Sequence, residues 1–103
     1  MIHVLAQIET VPGHRDDFLA EFAQVAILVR QEAGCIEYVA AVDVPADIPV
    51  QVFLGENVVM IIEKWEGNRH LQAHLVAPHM KDYRVRIKSF VQGVTLKVLE
   101  PKA

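Results

Sequence analysis

Apolar residues follow two distinct rhythms along this chain. Residues 2 to 9 alternate, with Ile2, Val4, Ala6 and Ile8 on one side and His3, Leu5, Gln7 and Glu9 on the other, which predicts a strand. After the Pro12-Gly13 turn, Phe18, Leu19, Phe22, Val25, Ala26 and Val29 recur at spacings of three and four. That spacing predicts an amphipathic helix from about Asp16 to Glu32. Asp16 and Asp17 suit its positive N-terminal end, and Gly34 is the expected left-handed terminator.

The rhythm then returns to strands. Cys35 to Val44 is rich in Val, Ile and Tyr and predicts a second strand, ended by Pro45 and Pro49. Val50 to Leu54 reads as a short extra strand, and Gly55-Glu56-Asn57 as a tight turn. The turn leads into Val58-Val59-Met60-Ile61-Ile62-Glu63-Lys64-Trp65, apolar on both faces up to Glu63, as a central strand covered on both sides would be. Asn68 is the expected N-cap of a helix whose inner face carries Leu71, His74 and Leu75 and which breaks at Ala77-Pro78. Pro78 opens a further helix, about His79 to Lys88, with Met80, Tyr83 and Ile87 inward, and Val91 to Leu99 is a last strand. The order strand, helix, strand, strand, broken helix, strand predicts a ferredoxin-like α+β fold: an antiparallel sheet with its helices on one face. The other face is left bare, so a homodimer packed sheet against sheet is expected.

Composition supports that expectation. The 103 residues fit one domain, spanning 1–103. Apolar residues make up 52% and charged residues only 22%, with a mean hydropathy of +0.25, an apolar surplus that suggests an oligomer. Net charge is -3 and the pI about 5.9, and the Lys and Arg residues form no basic stripe, which argues against a nucleic-acid partner. The N-terminus has no targeting pattern, and the longest apolar runs, Val25 to Val29 and Val58 to Ile62, fall far short of the ~20 residues a membrane helix needs. A soluble cytoplasmic protein with no membrane partner is expected. Cys35 is the single cysteine, read as a small buried hydrophobe.

Candidate chemistry is concentrated between Glu63 and Met80. His70 and His74 lie four apart on one helix, a spacing that can hold a metal, but no Cys or suitably placed Glu completes a site, and His70 is offset towards solvent. His74 lies on the apolar stripe and should face inward. His79, just past the Pro78 break, can be aimed at the same cavity, and two imidazoles titrating near neutrality around an apolar space can accept a phenolic proton. Trp65 ends the central strand with Glu63 on the same face; one tryptophan ordinarily packs a core, and here it is also placed to stack on a flat ring. Tyr38 and Tyr83 are further pocket candidates, and Arg84 or Arg86 could steady an anion. The five glycines are too dispersed for a phosphate loop, and Ser89 is the only serine, so neither a dinucleotide or flavin fold nor a serine hydrolase is supported.

The segments Glu32-Ala33-Gly34-Cys35-Ile36-Glu37-Tyr38, Glu63-Lys64-Trp65-Glu66, Leu71-Gln72-Ala73-His74-Leu75 and Pro78-His79-Met80 together resemble the antibiotic biosynthesis monooxygenase family, and within it the small bacterial quinol monooxygenases. The likeness runs from residue 1 to about 101. It implies a dimeric α+β barrel that oxidises quinols or electron-rich phenols with O2, using no flavin, haem or metal. It also places the family's pocket tryptophan at Trp65 and its helix histidines at His74 and His79. The asparagine that polyketide monooxygenases carry four positions before that tryptophan is Ile61 here. The haem-degrading branch needs an Asn on the first strand and a Trp and His on the second helix; those helix positions hold His74 and fall near Arg84, which argues against haem. A branch that isomerises phosphorylated sugars would need a basic anion site. A non-catalytic dimer binding an aromatic metabolite is the remaining alternative.

Overall fold

In the computed structural model, which describes residues 1–103, the two rhythms become one sheet and one helical layer. The elements are β1 (Ile2–Thr10), α1 (Arg15–Val29), β2 (Cys35–Ala41), β3 (Val58–Trp65), α2 (Asn68–Leu75), α3 (Pro78–Ile87), a 3-10 turn over Lys88–Phe90, and β4 (Val91–Leu99). The strand order is β2-β3-β1-β4, with every neighbouring pair antiparallel. This is the ferredoxin-like arrangement expected from the element order.

Register decides which side chains meet the helices. Val4 pairs with Glu63, Ala6 with Ile61 and Ile8 with Val59, so β1 and β3 turn Val4, Ala6, Ile8, Val59, Ile61, Glu63 and Trp65 to one side, and all are buried there. Helix α1 covers them with Phe18, Phe22, Val25, Ala26 and Val29, while α2 and α3 add Leu71, His74, Met80 and Tyr83. The opposite side of β3 carries Val58, Met60 and Ile62, flanked by Leu5 of β1 and Val39 of β2, and all five are only half-buried. The two covers expected for β3 are therefore one cover within this chain. On β4, Val94, Leu96 and Val98 pair with Ile8, Ala6 and Val4, which puts them on the helical side, but that edge strand runs beyond the helices and leaves each more than half exposed.

Several local expectations are corrected. Val50 to Leu54 is not a strand. The whole connection from 42 to 57 is irregular, with Pro45, Pro49 and a positive φ of 55° at Asp47. Its ends are joined by Asp43, whose carboxylate accepts hydrogen bonds from the backbone N–H groups of Leu54 (2.9 Å) and Gly55 (2.8 Å). The second strand accordingly stops at Ala41, not Val44. Asn68 is the first helical residue of α2, not its cap; the extended residue before the helix is Gly67. Gly34 has the expected left-handed φ of 79° but does not terminate α1, which stops at Val29 with Arg30 as its C-cap and not at Glu32; the glycine closes the turn that follows.

Candidate active site

Trp65 and His74 meet because β3 delivers one and α2 the other to the same side of the sheet. Their ring centroids are 4.8 Å apart, and the ring of Tyr38, from β2, meets His74 edge-on at 5.4 Å. His74 is 2% exposed and Trp65 fully buried. The expected inward face of α2 is therefore correct. Trp65 is not the ligand wall anticipated from its place at a strand end, because His74 covers its ring and no face is open. Its indole N–H instead donates to Oε1 of Glu63 at 3.0 Å, the residue two positions back on the same side of the strand.

The polar partner of His74 lies 42 residues away in the chain. Nδ1 of His74 is 3.0 Å from Oε2 of Glu32 and 3.2 Å from its Oε1. Nε2 of His79 is 2.6 Å from the same Oε2. A carboxylate accepts, so both imidazoles donate: His74 carries its proton on Nδ1 and His79 on Nε2, and no protein group bonds the other nitrogen of either ring. The break at Ala77, with ψ of 142°, turns the chain so that His79 on α3 faces back to the carboxylate that His74 reaches from α2.

Glu32 is held in place by the turn that follows α1. Its N–H donates to the carbonyl of Val29, its own carbonyl accepts from Cys35 N–H, and the carbonyl of Gly34 accepts from Glu66 N–H, which ties the turn to the end of β3. Arg30 secures the same turn, its Nε and terminal nitrogen donating to the carbonyl of Tyr38 at 3.1 and 2.9 Å. Glu32 lies in the Glu32 to Tyr38 segment that carries the family resemblance, but its spacing along the chain gives no sign of this role.

The electrostatics follow from burial. Desolvation lowers the pKa of His74, opposed by its hydrogen bond to Glu32 and that residue's charge, so burial favours the neutral ring. Glu63, 5% exposed, is pushed up to about 7, chiefly by desolvation, with the Trp65 hydrogen bond pulling down and the charge of Glu32 pushing up. The Tyr38 and Tyr83 hydroxyls are raised well above their usual range, again mainly by burial, and neither acts as an acid near neutrality.

Other sequence candidates lie elsewhere. Tyr83 packs against Phe18, with ring centroids 6.3 Å apart. Arg84 is exposed, and its guanidinium donates to the carbonyl of Leu75 at the end of α2, at 2.7 Å. Arg86 pairs with Glu21 at 2.8 Å. His70 is not on the surface; it is half-buried against Gly34, and its Nδ1 is buried without a partner. No group of three or more His, Cys, Asp or Glu residues is arranged to hold a metal ion. No helix is long and apolar enough to cross a membrane.

Comparison with known proteins bears on the family and the fold. The family model described as antibiotic biosynthesis monooxygenase matches residues 1–86. An Escherichia coli protein named probable quinol monooxygenase YgiN is 40% identical over 103 residues, covering 98% of this chain and 98% of its own. Among solved structures, the Pseudomonas aeruginosa protein PA3566 has a TM-score of 0.81 at 22% identity, covering 99% of this chain and 94% of that one. The Mycobacterium tuberculosis protein Rv0793 has a TM-score of 0.79 at 22% identity, covering 99% and 95%. At that identity the two structures speak to the fold.

Proposed function

Because the chain belongs to the antibiotic biosynthesis monooxygenase family, we propose that it oxidises a quinol or other electron-rich phenol with O2, without a cofactor of its own. The observation that carries this reading is the single carboxylate, Glu32, shared by His74 and His79. Triplet O2 reacts slowly with closed-shell molecules. A hydroquinone that has lost a hydroxyl proton is electron-rich enough to pass one electron to O2, leaving a semiquinone and superoxide. The protein then has to accept a proton, hold the ring and limit water.

The Glu32–His74–His79 cluster is suited to the first task. Glu32 fixes the tautomers, His74 is kept neutral by burial and so can take up a proton, and the charge of Glu32 stabilises the imidazolium that results. Glu32 (14% exposed) and His79 (24%) carry the cluster to the surface, while His74 lies behind them. Trp65 acts as a positioning residue in this scheme, since its ring packs on His74 and its indole is fixed by Glu63. The bare sheet face is the proposed contact between two copies of the chain.

Oxygen uptake with 1,4-naphthohydroquinone, with no metal or flavin added, tests the reading. Uptake by the wild type that is lost in His74→Ala is the expected result. Equal rates would remove the histidine from the mechanism, and tight ligand binding with no uptake by the wild type would identify a binding module instead.

A further inference from the structure

The Trp65–His74 contact leaves no room for a ring between them, yet the carboxylate that joins the two histidines is also part of a surface groove. This groove has a volume of about 420 Å³ and is lined by Glu32 together with Ala33, Ala73, Val76, Ala77 and Pro78. It lies between the turn after α1 and the break between α2 and α3. We propose that this groove is the binding site for the aromatic ring of a neutral phenol, with the ring on Ala73, Val76, Ala77 and Pro78 and its hydroxyl donating to Glu32. The ligand class rests on the oxygenase reading; the location and the charge requirement rest on the groove.

Three features fit this occupant. Ala33, Ala73, Val76, Ala77 and Pro78 are apolar and three of them are alanines, which leaves space for a flat ring. The polar group offered is an acceptor: two carboxylate oxygens provide about four lone-pair sites, and the imidazole N–H groups of His74 and His79 do not use them all. The remaining wall is His70, whose ring is wedged against Gly34, so closely that a Cβ at Gly34 would lie 2.3 Å from its Cγ. That contact holds the wall beside Glu32 and makes the groove a standing feature of the turn. A ligand carrying its own carboxylate or phosphate would meet Glu32 with like charge, and no Lys or Arg lines the groove to offset it. Uncharged phenols are therefore favoured over their carboxylated analogues.

The test is a nuclear magnetic resonance titration of the isotope-labelled full chain with 2-naphthol at neutral pH. Amide shifts centred on Ala33, Ala73, Val76 and Ala77 are expected, with no comparable response to 3-hydroxy-2-naphthoate. Ala73→Trp and Val76→Trp fill the groove from exposed positions on or just after α2, and each should weaken 2-naphthol binding at least tenfold while the spectrum stays dispersed. Shifts centred on the bare sheet face, equal binding of the carboxylated analogue, or undiminished binding by both Trp variants would overturn the groove, as would no shifts at the solubility limit. Oxygen uptake separates the two proposals. Groove binding without uptake removes the oxygenase reading and leaves the groove, whereas uptake unchanged in both Trp variants removes the groove and leaves the oxygenase.

Discussion

Nδ1 of His74 lies 3.0 Å from Oε2 of Glu32, so a buried helix histidine is fixed by an acid from the turn after α1. Replacing that acid with Gln keeps the shape but removes the charge that stabilises a protonated imidazole. Glu32→Gln should lower turnover of a hydroquinone by on the order of 10²-fold, the low end of what a positioned acid–base group contributes. KM should rise as well, because a neutral amide accepts a substrate hydroxyl less strongly than the carboxylate does. An oxygen electrode measures both, and an unchanged kcat would show that Glu32 takes no part in turnover.

The same pair sets the pH dependence. Burial lowers the pKa of His74, so turnover should hold level from neutrality down through the ordinary imidazole value of 6.5 and fall only below it. Glu32 opposes that lowering, so Glu32→Gln should move the acid limb to still lower pH while reducing the plateau. A purely structural role for Glu32 would lower the plateau and leave the limb in place. An acid limb above 6.5 in the wild type would contradict the buried, neutral His74.

The periodic segments were legible because burial repeats where the fold is regular. Val59, Ile61, Glu63 and Trp65 alternate inward along β3, and Leu71 and His74 share the inner face of α2. Glu32 was not legible in this way, since its partners are 42 and 47 residues distant. One local signal did exist: an acid just beyond a helix C-terminus opposes the helix dipole and calls for a compensating donor. Trp65 misled because a strand-end aromatic looks accessible until the packing of α2 over it is known. Val50 to Leu54 misled because β-branched residues raise strand propensity even where prolines and a left-handed Asp47 deny the segment a ladder partner.

Gly34 and His70 should be energetically coupled. Gly34→Ala places a Cβ 2.3 Å from Cγ of His70 and also forces a left-handed φ of 79° on alanine. The backbone penalty alone is about 1–2 kcal/mol, and the collision adds to it. In a His70→Ala background the contacts with Cγ and Cδ2 are gone and only the 2.8 Å approach to the Cβ of residue 70 remains, so the same substitution should cost less than in the wild type, though more than the backbone penalty alone. Urea unfolding of the four proteins checks this double-mutant cycle, and strictly additive costs would contradict the contact.

Glu63 ties stability to pH. Its folded pKa of about 7 exceeds the ordinary 4.5, so the fold retains a proton that the unfolded chain releases. That contribution is fully present below pH 4.5 and is lost as pH rises through about 7. Glu63→Gln retains an oxygen to accept from the Trp65 indole and does not ionise. Relative to the wild type, it should therefore gain roughly 2–3 kcal/mol of stability between pH 5 and pH 8. Because His74 titrates in both proteins, comparing the two chains removes its opposing contribution, which is present above the ordinary imidazole pKa and lost as pH falls through its lowered value. Denaturant curves at the two pH values measure the difference, and a constant gap would mean that Glu63 is ionised throughout.

Ile62 tests the proposed pairing of two copies. It sits on the bare side of β3 with Leu5 and Val39 as its cross-strand neighbours, and the Lys64–Glu37 ion pair, at 2.7 Å, lies towards one margin of the same face. A sheet whose second face is apolar at its centre and charged at its edge has the make-up of a contact surface. The wild type should sediment at roughly twice 11.6 kDa. Ile62→Glu places an unpaired charge at that centre in both copies, where burying it without a partner costs several kcal/mol, so the variant should sediment as one chain. Because Ile62 points away from α1, α2 and α3, helical circular dichroism should be unchanged. A wild type that sediments as a single chain, or a variant that still pairs, would place the contact elsewhere or remove it.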